Sequence, residues 1–433
     1  MTDQSGLTGS CQEPIAKSQK RLCIIGSGPA GCYLADQLLR LVQDARIDVL
    51  EKLPVPFGLV RYGVAPDHQG TKAVARVLDR TLARDRVRFF GNVEVGRDVT
   101  LDELRGMYHA VVLATGATCD RKPGIPGEEL ASVIGSGAFV SWYNGHPART
   151  VPELRDVRSA VIVGNGNVAL DVARVLAKDS GELNGSDLPP DVLEALQKQP
   201  IEEIHIVGRR GAADAKFTEH ELTELGTLHR AKPIVAGGSN FVGDTPVEKV
   251  LREFAADQRQ EIPVSIHFHF GLTPLIFLGR ERLEAVRFLS CEGREADIAA
   301  QLAVTCIGYQ AAPCCGAVPV NGVFANDSGK IENGLYVVGW AKRGPSGTIP
   351  TNRTEAQQVA QRIAADLAGA RQPSQADLAD FLQRRGTPWV DYSGWKCIEA
   401  VERAGADQTR CLLKLLKTEE MLQASQEREL RPA

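Results

Sequence analysis

Two hydrophobic rhythms alternate along this chain. Short, nearly continuous apolar runs such as RLCII, RIDVL, HAVVLA, SAVIV, IEEIHIV and QLAVT are separated by longer stretches with helical spacing, as at Leu34, Leu38, Leu39 and Leu41. Continuous apolar strands linked by amphipathic helices predict βαβ units around parallel sheets. The expected class is therefore α/β.

Two of these strand-to-helix transitions carry glycines at an informative spacing. RLCIIGSGPAGCYLADQLLR passes through Gly26, Gly28 and Gly31, with Ala30 beside the last. The first glycine permits a tight turn, the second lets the backbone approach a diphosphate, and the third lets helix and strand pack closely. The helix N-terminus then offers free N–H groups to the phosphates. The next strand ends at Glu51, twenty residues after Gly31, where a carboxylate accepts hydrogen bonds from an adenosine ribose. SAVIVGNGNVALDVARVLAK repeats the pattern with Gly164, Gly166 and Ala169, alanine being an accepted third residue. Here the following strand delivers Arg209 and Arg210 instead of an acid. A carboxylate would repel a 2′-phosphate, whereas paired guanidiniums hold one through charge-assisted, often bidentate, hydrogen bonds. The first unit thus reads as a site for FAD and the second as one for NADP(H). Two nicotinamides seldom exchange hydride directly, and a flavin placed between them and an acceptor gives both sites a use.

Composition narrows the classes. A chain of 433 residues with 43% hydrophobic positions can bury a substantial core in two or three domains. Fifty basic against 54 acidic residues, without a long basic block, give no sign of nucleic-acid binding. No apolar run approaches the roughly 18 residues of a membrane span. The opening residues 1–20 lack a signal-like apolar core and read as a flexible leader. Ten cysteines without a CxxC motif suggest reduced thiols and a cytoplasmic setting. His267 and His269 share one strand face, but no third ligand is evident and no metal is expected.

YHAVVLATGATCD reads as the point where the chain leaves the first domain, QLAVTCIGYQ as the strand closing an inserted one, and NGLYVVGWAKRGPSGTIPTNRTEAQQVAQRIAADL as the return. The expected architecture is two Rossmann-like domains, an NADP domain over 118–329 inserted into a discontinuous FAD domain over 21–117 and 330–433.

The motifs GSGPAG, EKLPVPFGLVRYGVAPDH, FFGNVEVGRDV, GNGNVALDVAR, VGRRG, FTEHELTEL and GWAKRGPSGTIPTN together resemble the adrenodoxin reductase-like ferredoxin–NADP reductases, over nearly the whole chain after residue 20. The resemblance implies FAD contacts at Ala30, Glu51, Leu59, Val95, Trp340, Gly347, Thr348 and Ile349. It implies NADP contacts at Asn165, Gly166, Asn167, Val168, Arg209, Arg210 and Glu221, with Trp340 and Gly347 near the nicotinamide. Glu221 beside a phosphate makes sense if it pairs with and orients an arginine. His68 and Glu224 stand where the family places polar groups near the reacting rings. Gln69 replaces a common proline, Pro350 a common glycine, and the span from Glu221 to Trp340 is short, which implies trimmed loops and leaves the electron acceptor open.

The implied activity is hydride transfer between NADPH and a tightly, non-covalently bound FAD, with single electrons passing to a ferredoxin-like iron–sulfur protein. Two other readings stand beside it: an NADPH-oxidising flavin subunit of a larger enzyme, and a non-catalytic NADPH sensor.

Overall fold

A computed structural model describes residues 19–236, 243–259, 262–314 and 316–427. Nearly all of the leader, 1–18, and Cys315 of the adjacent Cys314–Cys315 pair lie outside these residues. The chain first lays down β1 (Lys20–Ile25), β2 (Ala45–Glu51), β3 (Val87–Gly91) and β4 (Ala110–Leu113), then leaves through β5 (Cys119–Asp120). A second group follows: β6 (Val133–Gly135), β7 (Ser159–Val163), β8 (Glu203–Gly208), β9 (Ala231–Val235) and β10 (Val264–Phe270). Next come β11 (Leu272–Gly279), β12 (Leu283–Ser290), β13 (Glu295–Ala299) and β14 (Leu302–Thr305). The chain returns through β15 (Tyr309–Gln310) and completes its strands with β16 (Lys330–Glu332) and β17 (Leu335–Val337).

The strands form two six-stranded sheets, ordered β16-β17-β4-β1-β2-β3 and β6-β14-β7-β8-β10-β9. Pairing is parallel throughout except where β16 meets β17. Parallel strands are buried on both faces, which is why these segments read as continuous apolar runs rather than alternating ones. An antiparallel sheet, β11-β12-β13, packs Phe277, Val286 and Phe288 against Val161, Val163 and Val207 of the second sheet. The crossing between units is a two-stranded ribbon, β5 with β15. The α/β class with two Rossmann-type units, one inserted in the other, is thus present. Among the described residues no helix is long and apolar enough to cross a membrane.

Each unit has its own core. In the first, the helix Pro29–Leu41 buries Leu34, Ala35 and Leu38 completely. Each such leucine contributes roughly 1.5–3 kcal/mol on burial. The helix crosses Ile349–Asp366, whose Ala356, Val359, Ala360 and Ile363 are fully buried. In the second, Asn167–Ala177 is almost wholly buried between sheet and neighbouring helices.

A buried polar junction joins the two units and the C-terminal segment. Lys72 donates to both Asp187 oxygens (2.9 and 2.8 Å) and to Asn144 Oδ1 (2.8 Å). Lys414 reaches the same Asp187 at 2.9 Å, and Arg61 pairs with the fully buried Glu402 at 2.5 Å. Burial first, and the neighbouring Lys414 second, push the Lys72 amine down to about 7 despite Asp187. Breaking a buried pair by removing one partner typically costs about 3–5 kcal/mol, so this junction resists piecemeal change.

Candidate functional site

The first glycine turn sits at the carboxyl end of β1. Gly26 has φ +114°, and a Cβ there would lie 2.4 Å from the Ala114 carbonyl oxygen. A Cβ on Gly31 would lie 2.1 Å from the Gly26 oxygen. Gly28, between them, has open space where its side chain would be. Two glycines are therefore required by packing, while Gly28 leaves the face of the turn open. Glu51 closes the turn at the end of β2: Ser27 Oγ donates to it at 2.7 Å, and the Ser27 and Leu53 N–H groups at 3.2 and 3.3 Å. The buried Thr115 hydroxyl, just beyond β4, has no partner among the described residues.

Segments distant in sequence converge on this turn. A Cβ on Gly58 would touch the Gly28 Cα at 3.4 Å, which brings the exposed Leu59 to its edge. Val93 N donates to the Glu51 carbonyl at 2.9 Å, two residues before Val95. A Cβ on Gly339 would meet Ala30 Cβ at 2.6 Å, so the turn carrying Trp340 lies against the start of the first helix. Glu355, 6% exposed, holds that turn: it accepts from Gly339 N at 2.8 Å and Lys342 Nζ at 3.1 Å, and also from Arg343. The Trp340 indole donates to Ser346 O at 3.1 Å and stacks on Tyr309 of the ribbon, centroids 6.1 Å apart. Thr348 caps Ile349–Asp366, and Pro350 falls in the first turn of that helix. A proline there forfeits no helical hydrogen bond, so the exchange for glycine leaves the helix start regular. Gln69 is equally benign, its amide donating to Pro66 O at 2.7 Å.

The second turn repeats the geometry with different lining. Gly164 has φ +139° and faces the Cys306 carbonyl, and Gly166 is open. The Asn165 side chain covers the Gly208 backbone, leaving its buried Oδ1 unpartnered. Asn167 Oδ1 accepts from Thr218 N at 2.8 Å. Val168 is half-buried at the helix start. Arg209 and Arg210 are exposed, and neither guanidinium has a partner among the described residues. The open glycines, the orphaned Thr115 and Asn165 oxygens and the free guanidiniums fit the polar ends of two dinucleotides.

Between the turns lies an ionic cluster that the sequence reading caught only in part. His68, ahead of the short helix Gln69–Lys72, and Glu224, on Glu219–Gly226, meet at 3.0 Å across 156 residues. His68 also lies 3.7 Å from Asp171 and from Glu221. At the centre is the buried Arg174, pairing with Asp67 (3.0 Å), Asp171 (2.8 Å), Glu221 (3.4 Å) and Glu224 (3.2 Å). Glu221 thus does orient an arginine, but it is Arg174 rather than Arg209 or Arg210. Burial pushes the Asp171 carboxyl up to about 6, against the pull of Arg174 and His68. Burial acts to raise Asp67 too, but hydrogen bonds and charge from Arg174 and Lys178 hold it well below the usual carboxylate range. The ligating atoms of His68, Glu221 and Glu224 lie within 4.8 Å of one another; Arg174 already bonds both glutamates there.

Asp171, Arg174, Asp67 and Tyr309 were not picked out from sequence. A signal existed for the first two: VALDVAR places an acid and an arginine three residues apart on a helix that is otherwise apolar. The third imidazole beside His267 and His269 was also missed. His205 comes from the neighbouring β8, its Nδ1 3.1 Å from His269 Nε2 and its ring stacked on His267.

Comparison with known proteins agrees with this geometry. Residues 20–360 match the family model described as pyridine nucleotide-disulphide oxidoreductase. Cindoxin reductase of Citrobacter braakii is 37% identical over 426 residues, covering 96% of this chain and 93% of that protein. The human mitochondrial NADPH:adrenodoxin oxidoreductase is 38% identical over 449 residues, covering 93% and 91%. A solved structure of Mycobacterium tuberculosis FprA in complex with NADPH is 36% identical, with a TM-score of 0.88 and coverage of 94% and 99%. The chain belongs to the pyridine nucleotide-disulphide oxidoreductases and, within them, to the adrenodoxin reductase-like ferredoxin–NADP reductases.

Proposed function

We propose that the protein is a ferredoxin–NADP reductase, moving hydride between NADPH and FAD and single electrons between FAD and a ferredoxin-type iron–sulfur protein. One observation carries the reading: two strand-to-helix turns share an open glycine, and one is closed by a carboxylate while the other is flanked by two unpaired guanidiniums. FAD, when bound, accepts an electron pair and releases electrons singly.

In this reading residues 21–117 and 330–433 form the FAD domain and 118–329 the NADP domain, supported by the membership of the two sheets. Gly26, Gly28, Ala30 and Gly31 cradle the FAD diphosphate, Glu51 takes the ribose, and Leu59, Val95, Trp340 and Gly347 to Ile349 border the rest. Asn165 to Val168 receive the NADPH diphosphate at a helix N-terminus, and Arg209 and Arg210 hold its 2′-phosphate. Glu221 acts by fixing Arg174. His68 and Glu224 handle the proton that balances charge as the flavin is reduced, with Asp171 on the other side of the imidazole as a carboxyl that titrates near neutrality. A cytoplasmic location suits the thiols of Cys23, Cys32, Cys119, Cys291, Cys306 and Cys411.

Anaerobic titration of the purified protein with NADPH, followed by addition of ferredoxins, tests the proposal. The expected result is a yellow protein whose FAD is released by acid, is bleached by NADPH, and recovers on transfer to a ferredoxin. FMN, absent flavin, or flavin inert to NADPH overturns it. Bleaching that no ferredoxin reverses would point instead to a subunit of a larger enzyme.

A further inference from the structure

We infer that Lys216 is a third cation for the bound coenzyme, contacting a phosphate on the adenosine half of NADPH; this rests on the second unit being the NADPH site. The segment leaving β8 doubles back onto the second glycine turn. Lys216 N donates to the Asn165 carbonyl at 2.7 Å, so residue 216 is tied to the residue between Gly164 and Gly166. Two residues later Thr218 N donates to Asn167 Oδ1 at 2.8 Å, tying the segment to the start of the following helix. Phe217 is 3% exposed and packs edge-on against Phe268. With Phe217 turned into the core between two tethers, the Lys216 side chain is directed outward at the mouth of the turn, where it is exposed.

Most exposed lysines are either solvated at random or engaged in a surface ion pair. This one has a backbone fixed against the diphosphate-binding turn and an amine with no partner among the described residues. Arg209 and Arg210 directly follow Gly208, whose backbone the Asn165 side chain covers, and both are exposed and unpaired among the described residues. Three unneutralised cations around one helix N-terminus favour a polyanion over a monoanion. Lysine suits this place because a flexible stem with a point charge reaches a phosphate without needing the planar fork geometry of arginine. The phosphate is either the 2′-phosphate or the diphosphate, and the two are separable by fragments.

Calorimetric titrations of the holoenzyme with NADP+, 2′-AMP and 5′-ADP, for wild type, Lys216→Gln and Lys216→Arg, with NAD+ as a further titrant of the wild type, test the inference. Lys216→Gln should weaken NADP+ roughly three- to tenfold, a modest change because the amine faces solvent. Lys216→Arg should restore most of the affinity, and the glutamine variant should show a shallower dependence on salt. Weakening confined to 2′-AMP identifies the 2′-phosphate, and weakening confined to 5′-ADP the diphosphate; either supports the inference. If wild type prefers NADP+ over NAD+ but Lys216→Gln binds all three ligands as wild type does, the lysine is a bystander. If wild type shows no such preference, the assignment of the second unit fails first, and this inference with it.

Discussion

The two glycine turns are nearly the same object in backbone and opposite objects in lining. In the first, the closing carboxylate is satisfied by protein: Ser27 Oγ holds Glu51 at 2.7 Å, and Ser27 itself is fully buried. In the second, Arg209 and Arg210 face solvent without partners. A preorganised, half-buried acid favours a ligand that enters once and stays, because little further ordering is required on binding. Exposed cations draw in an anionic ligand over distance and release it readily, since their bonds are screened by water and salt. In the proposed reading, one backbone device thus serves a resident group in one unit and an exchanging one in the other. The difference lies in the side chains that finish the turn.

The strongest way to break the comparison is at the third turn position. Gly31→Val would place atoms within 2.1 Å of the Gly26 carbonyl, and overpacking of this kind costs up to ~3 kcal/mol. We expect little or no FAD in the purified variant, read as flavin absorbance per chain. The matching change in the second unit, Ala169→Gly, should cost under about 1 kcal/mol of helix stability and leave FAD content unchanged. Equal losses in both variants would mean the turns do not divide the cofactors as described.

Next in size is coenzyme choice. Charge-assisted hydrogen bonds contribute roughly 1.5–3 kcal/mol each, so replacing Arg209 and Arg210 together with Gln should cut the preference for NADPH over NADH by about a hundredfold. Steady-state constants for both coenzymes check this, and an unaltered preference would remove the second turn's side of the comparison.

A smaller change is expected in the cluster between the turns. A positioned acid or base typically contributes about 10²- to 10⁴-fold, but Asp171 and Arg174 remain in place when His68 is lost. Stopped-flow reduction by NADPH should therefore slow about tenfold in His68→Ala and in Glu224→Ala, with FAD content near wild type. Asp171→Asn should remove a pH step near 6, because that carboxyl ionises there. Wild-type rates across the pH range in all three would make the cluster purely structural.

The smallest effect concerns acid stability of the second unit. Burial and the neighbouring imidazoles push His205 and His269 down to about 4, and burial lowers His267 as well. Their unfolded value is near 6.5. Between pH 6.5 and 4 the unfolded chain therefore binds more protons than the folded one. Stability falls as pH drops through that window and levels off below it. His205 is buried while His267 and His269 are partly exposed, so after solvent screening the loss should amount to about 1–2 kcal/mol. Replacing His205 and His269 with Gln should flatten the melting temperature between pH 7 and 4.5; an unchanged slope would locate the acid sensitivity elsewhere.

Most of this architecture is legible in the sequence. The apolar runs became parallel strands because burial on both faces demands continuous hydrophobicity. The two Gly-x-Gly turns read correctly because backbone sterics at Gly26, Gly31 and Gly164 leave few alternatives. His68 and Glu224 were singled out only through resemblance, and nothing local in either segment indicates a contact across 156 residues. Which arginine Glu221 would orient was left open for a similar reason. Arg209 and Arg210 are nearer in sequence, yet the helix Glu219–Gly226 packs beside Asn167–Ala177 and presents Glu221 to Arg174. The histidine trio escaped notice because parallel register, which sets His205 opposite His267, is invisible within either strand.

By itself, then, the sequence determined what depends on short-range chemistry: strand and helix periods, turn glycines, and an acid in one unit against two arginines in the other. Each of these is governed by residues within a few positions or by the fixed length of one βαβ unit. Only the tertiary structure decided which charges meet. Arg174 gathers Asp67, Asp171, Glu221 and Glu224 from three separate segments, Lys72 and Lys414 share Asp187, and Trp340 lies on Tyr309. Side chains so far apart along the chain come together only when whole sheets and helices have packed, because it is the burial of those elements that fixes their relative positions and removes the water that would otherwise keep such charges apart.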